Sequence, residues 1–138
     1  MAVPVINRSF AQERIRLGDT WKVYLNASDP DGEMQAIVCT LEQAGAGPHP
    51  VGLTRVPANA RQELSGYVYL KTVGAQGLSN TSLRLKIQIR DKSGNYSTPV
   101  SFPLAFDPRS RAEDPPAGIF QERDLGPIMV TLSSSSSA

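Results

Sequence analysis

The chain has 138 residues, with 14 Lys and Arg against 13 Asp and Glu, a formal net charge of +1, one cysteine and one histidine. That length suits one domain with tails, able to bury a core without disulfide or metal. The charge balance argues against nucleic acid or an anionic membrane as partner. A single cysteine excludes an internal disulfide and a cysteine-based metal motif, and no apolar run reaches the roughly 18–20 residues of a membrane span.

The first eight residues lack a basic start followed by an apolar stretch, so no signal peptide is read there, and the chain is expected to be a mature or trimmed segment. Residues 3–6 read as a short first strand, with Pro4 placing it at an edge. Residues 20–27 alternate Trp21, Val23, Leu25 and Ala27 with Lys22, Tyr24 and Asn26, the period-2 pattern of a half-buried strand. Asp29-Pro30-Asp31-Gly32-Glu33 is a turn. Residues 35–42 follow, with Ile37, Cys39 and Leu41 inward and Thr40 and Glu42 outward.

After a Gly- and Pro-rich link, residues 51–56 form a weaker strand. Only residues 55–64 offer a helical turn or two, with Asn59 as a possible cap. Residues 64–72 place Val68 and Leu70 inward and Tyr67 and Tyr69 outward. The clearest strand is 83–89, where Leu83, Leu85, Ile87 and Ile89 alternate with Arg84, Lys86 and Gln88. It enters the turn Asp91-Lys92-Ser93-Gly94-Asn95. Residues 98–106 close the series, and Pro99 and Pro103 on its outward positions mark an edge. These about seven strands, separated by turns at roughly 10-residue spacing, predict an all-β sandwich over residues 1–106.

Residues 107–126 are a charged, proline-rich linker. Residues 127–138 combine a β-prone run, Pro127 to Leu132, with a serine tail, and together they make a C-terminal extended arm. A short echo relates it to the domain's beginning: Phe10-Ala11-Gln12-Glu13-Arg14 with Leu17-Gly18 against Phe120-Gln121-Glu122-Arg123 with Leu125-Gly126.

Catalysis needs titratable groups held together away from water. The single His49 sits between two prolines in a loop, and no Gly-x-Ser-x-Gly, phosphate-loop or dinucleotide motif occurs. Cys39 lies in an apolar strand as a small core residue. The protein is therefore read as non-enzymatic. The acidic turns could supply oxygen ligands for calcium from Asp29, Asp31, Glu33, Asp91 and Asn95, or the same residues simply bond their own backbone.

Asn7, Asn26, Asn80 and Asn95 stand in Asn-x-Ser/Thr triplets, acceptor sites in a glycosylated surface protein. Tyr67 and Tyr69 form an aromatic stripe that either meets a sugar or a partner or lies under the chain's own tails. Ile128, Met129, Val130 and Leu132 form an apolar strand that either pairs with a neighbouring subunit's sheet edge or folds back as a last strand.

Three segments carry a family likeness: Leu17-Gly18-Asp19-Thr20, Ala27-Ser28-Asp29-Pro30-Asp31-Gly32 and Ile89-Arg90-Asp91-Lys92-Ser93-Gly94-Asn95. Over roughly residues 15–106 the chain resembles the bacterial and archaeal immunoglobulin-like, cadherin-like or fibronectin-III-like domains of surface and secreted proteins. The resemblance implies an immunoglobulin-like antiparallel β-sandwich, extracellular or cell-surface, serving as a spacer, adhesion or assembly module without catalysis. Some cadherin-like members bind calcium, but the extended acidic linker motifs of true cadherins are missing here, as is the cysteine–tryptophan pattern of antibody domains. The expected partners are copies of itself or a neighbouring subunit. The alternative is a carbohydrate-binding or adhesion module that takes a glycan through Tyr67 and Tyr69.

Overall fold

Strands with one apolar face must bury that face against another layer. The computed structural model describes residues 3–43, 51–72 and 82–128, which build two such layers. The strands are β1 (Val5–Ala11), β2 (Arg14–Ile15), β3 (Thr20–Ser28), β4 (Met34–Gln43), β5 (Val51–Arg55), β6 (Glu63–Lys71), β7 (Leu83–Asp91), β8 (Val100–Phe106) and β9 (Asp124–Pro127). One sheet runs β1-β3-β6-β9 and the other β2-β8-β7-β4-β5. The protein is an all-β sandwich.

Alternation places the core as expected. Trp21, Val23, Leu25 and Ala27 of β3 and Leu64, Val68 and Leu70 of β6 face Ile37, Cys39 and Leu41 of β4 and Leu85, Ile87 and Ile89 of β7. All of these are at most 3 % exposed. Trp21 satisfies its one polar atom by donating from Nε1 to the Gln12 carbonyl at 2.8 Å, the partner that a buried indole requires.

Several expectations are corrected. The first strand begins later and runs longer than residues 3–6, and it pairs antiparallel with β3 through a register shift between Ile6 and Arg8. The sandwich is not purely antiparallel, because β2 pairs parallel with β8 and β9 pairs parallel with β6. Both parallel additions are short, two and four residues long, while the longer strands pair antiparallel. The segment 55–64 forms a single 3-10 turn, Ala58–Ala60, with Pro57 before it and no side-chain cap from Asn59. The strand expected from residue 98 starts at Val100, and β8 is shielded from the edge by the two residues of β2.

The segment after β8 crosses the outer face of the first sheet. Gln12 Nε2 donates to the Arg111 carbonyl at 2.8 Å, Asn26 Nδ2 to the Ile119 carbonyl at 2.7 Å, and the Gln121 N–H to Ser65 Oγ at 3.0 Å. It ends beside β6, where the Tyr67 N–H donates to the Arg123 carbonyl and the Ile128 N–H to the Tyr69 carbonyl. Leu125 and Ile128 are 5 % and 4 % exposed and belong to the core.

Candidate functional site

The two acidic turns meet at one end of the sandwich. Met34 of β4 pairs with Asp91 of β7, and the Lys92 N–H donates to the Glu33 carbonyl at 3.1 Å. The Asp91 carboxylate is occupied locally. Asp91 Oδ1 accepts from the N–H groups of Ser93 and Asn95 at 2.9 and 2.8 Å, and Oδ2 accepts from Asn95 Nδ2 at 3.3 Å. Burial alone would raise the Asp91 carboxyl, but these N–H donors outweigh it and hold its pKa below the ordinary value.

Asp29 is fully buried, and its Oδ1 accepts the Asp31 N–H at 3.0 Å. Its Oδ2 receives no hydrogen bond among the described residues. Asp31 is exposed and Glu33 half-buried. Among the described residues no group of three or more His, Cys, Asp or Glu side chains converges on a point where a metal could sit. The geometry is that of self-bonded turns. Gly32 and Gly94, at φ 66° and 89°, supply the left-handed backbone that each turn needs.

The aromatic stripe has a different setting from the one its sequence suggests. Tyr24, on the polar side of β3, is 5 % exposed because the arm lies over it. Its ring stands 5.5 Å from Tyr67 and 5.6 Å from Phe120, with Phe10 at 6.5 Å. The two phenylalanines of the internal echo therefore flank the same tyrosine. The Tyr24 hydroxyl donates to the Glu122 carboxylate, with oxygens at 2.9 and 3.1 Å. Burial first, then that carboxylate, push its pKa up to about 12.

Tyr67 and Tyr69 are half-buried, their rings are 6.5 Å apart, and the Lys22 ammonium sits 4.6 Å above the Tyr67 ring. Beside them Phe10, Lys22, Tyr24, Glu113, Asp114 and Pro115 line a groove of about 210 Å³. The arm thus covers Tyr24 beside the stripe and pairs with the backbone of Tyr67 and Tyr69.

The arm's seat is the most developed feature of the molecule. Leu125 and Ile128 fill the flank between the sheets, and Thr54 Oγ1 of β5 donates to the Pro127 carbonyl at 2.7 Å. Gly66 makes the approach possible. A Cβ there would clash with the Arg123 carbonyl oxygen and lie 3.0 Å from Leu125 Cγ. Ile128, expected to meet a partner, is placed in its own chain's core, while Met129, Val130 and Leu132 lie outside the described residues. Sequence alternation could not reveal Tyr24, Asn26, Ser65 and Gly66 as arm-binding residues, because their roles arise only where the arm crosses. The echo around Phe120 was the one signal available.

Among the sequon asparagines, Asn7 is exposed and donates to Ser28 Oγ at 3.1 Å. Asn26 is engaged at both ends, by Ile119 and by the Ser65 hydroxyl. Asn95 braces Asp91, and Asn80 lies outside the described residues, as does His49. Cys39 is fully buried, and burial pushes its thiol up to about 12, which leaves it a core residue without thiolate character at neutral pH. Among the described residues no helix is long and apolar enough to cross a membrane.

No protein-family model, curated protein or solved structure matches the chain.

Proposed function

We propose that the protein is a non-enzymatic structural module, a spacer or assembly subunit of an extracellular or cell-surface protein, with its C-terminal arm as the docking element. The observation that carries this reading is the arm's seat. A slot at the β6 edge accepts an extended segment through a parallel backbone ladder extended by the Tyr67–Arg123 and Ile128–Tyr69 hydrogen bonds, two apolar anchors and a glycine that clears the path. A neighbour's arm presents the same residues, so exchange between copies reproduces the same contacts in trans. The strand order, β1-β3-β6 facing β2-β8-β7-β4-β5, supports the immunoglobulin-like form of the sandwich. The exposed sequon at Asn7 is compatible with a surface location.

Shortening the linker tests the assembly reading. Deleting residues 112–117 leaves the arm too short to cross its own sheet, so arms must be traded between copies. The expected result is a dimer in light scattering that reverts to monomer when Gly66→Val blocks the seat. A shortened chain that stays monomeric, with its arm free, would overturn this role for the arm. The carbohydrate alternative finds less support, since Lys22 already sits over the Tyr67 ring and the neighbouring Tyr24 is taken by Phe120 and Glu122.

A further inference from the structure

β5 ends the second sheet, and the direction of its backbone groups can be deduced. The Val56 N–H donates to the Gln35 carbonyl at 2.9 Å, which continues the register Ile37↔Thr54 and Cys39↔Gly52. In an antiparallel ladder, pairs that exchange hydrogen bonds alternate with pairs that do not. Gly52 and Thr54 therefore bond β4, whereas Val51, Leu53 and Arg55 turn their N–H and C=O groups to the open edge. No hydrogen bond from another described element reaches those groups. Among the described residues, the arm meets β5 from the inner side, where Pro127 and Gly126 approach the Thr54 side chain.

The side chains at that edge are equally unusual. Val51 is 60 % and Leu53 48 % exposed, and the strand carries no proline, no bulge and no lysine, the devices that commonly protect an edge. Val38 of β4 lies directly beside Leu53. The charge pattern selects the occupant. A second β5 laid antiparallel and centred on Leu53 sets Leu53 against Leu53 and each Arg55 against Val51, so no like charges face one another. All three resulting pairs have the phase that exchanges both N–H···O bonds. Registers displaced from this centre use fewer of those groups, and the one centred on residue 55 opposes two arginines.

We propose that two copies of this chain pair through their β5 edges, antiparallel about Leu53, to form one continuous sheet across a two-fold axis. The inference gives the assembly reading above a specific interface, and it is separable from arm exchange because it involves no arm residue. An edge of five residues makes a small contact, so the dimer belongs to the weak, concentration-dependent class.

Sedimentation velocity on the full chain should show mass rising toward two copies with concentration. Leu53→Lys and Leu53→Glu should each weaken association by about tenfold or more, because like charges meet at the axis. An equimolar mixture of the two variants should restore the dimer. Leu53→Cys should crosslink to itself under mild oxidation, since paired Cα atoms about 5.5 Å apart suit a disulfide, and Cys39 is too buried to interfere. Val51→Cys should crosslink to Arg55→Cys and not to itself.

Three results would each overturn the proposal: a wild-type chain that is monomeric at every concentration, including one whose Leu53 amide is protected in cis; a Leu53→Lys chain that still dimerises; or a mixture that stays apart. A dimer abolished by Gly66→Val and untouched by Leu53→Lys would be arm exchange instead, and would also overturn it.

Discussion

The two sheets expose contrasting outer faces and edges. The first sheet has its polar face crossed by residues 107–123 and its β6 edge paired with β9. The second presents Arg84 exposed and Lys86, Gln88 and Arg90 half-buried on the outer face of β7, and among the described residues no strand pairs with the outer edge of β5. The difference explains why chemically similar positions behave differently. Tyr24 and Arg84 both occupy polar positions of alternating strands, yet Tyr24 is core-like and Arg84 is exposed. Residues far along the chain, not the strand's own pattern, determine which polar face stays wet.

The comparison is most severely tested by unseating the arm. Gly66→Val should force Arg123 and Leu125 away and uncover the anchors, at a cost of about 3–5 kcal/mol in denaturant unfolding. Ile128→Ala keeps the arm in place but empties its end of the flank, with an expected loss of about 2–4 kcal/mol. Tyr24→Phe removes only the hydroxyl that binds Glu122, so about 1 kcal/mol is expected. On the outer face of the second sheet, Lys86→Gln should change stability by no more than about 0.5 kcal/mol. If Lys86→Gln proved as costly as Ile128→Ala, the contrast between the faces would be wrong.

Two titrations sharpen the same contrast. Phenolate absorbance should show Tyr24 ionising near pH 12 while the arm is seated, and earlier in the Gly66→Val chain, since burial and the Glu122 carboxylate are the causes of the rise. Asp91 tests the opposite end of the sandwich. Its folded pKa lies below its unfolded value, so its contribution to stability is fully present above the ordinary carboxylate pKa and disappears as pH falls through the lower folded value. Acid unfolding of the wild type should carry that dependence, and Asp91→Asn should lack it.

The alternation of residues 20–27 and 83–89 was enough to place those core strands and their inward residues, because a period of 2 sets one face toward the core, whereas β4 is buried on both faces from Ala36 to Cys39. The turn pair at Asp29 and Asp91 was legible for a similar local reason: glycine and side-chain acceptors stabilise a tight reversal without help from elsewhere. That the Asp91 carboxylate bonds its own turn, and that no three acidic groups converge among the described residues, emerged only with side chains in place.

The arm was recognised as an apolar strand on a linker, but its destination was undecidable from sequence. The pattern Leu125-Gly126-Pro127-Ile128 fits any edge with a gap and a nearby glycine, whether in the same copy or another.

The amino-acid sequence by itself thus determined the all-β class, the core strands and the turn chemistry, all of which arise from interactions between near neighbours and from strict alternation. Tertiary structure alone decided the burial of Tyr24, the parallel pairing of β9 with β6 and, among the described residues, the open edge of β5. Each depends on how segments 40 or more residues apart lie against one another, as with Gly66 and Arg123 or Asn26 and Ile119, and such encounters leave no periodic mark on the chain.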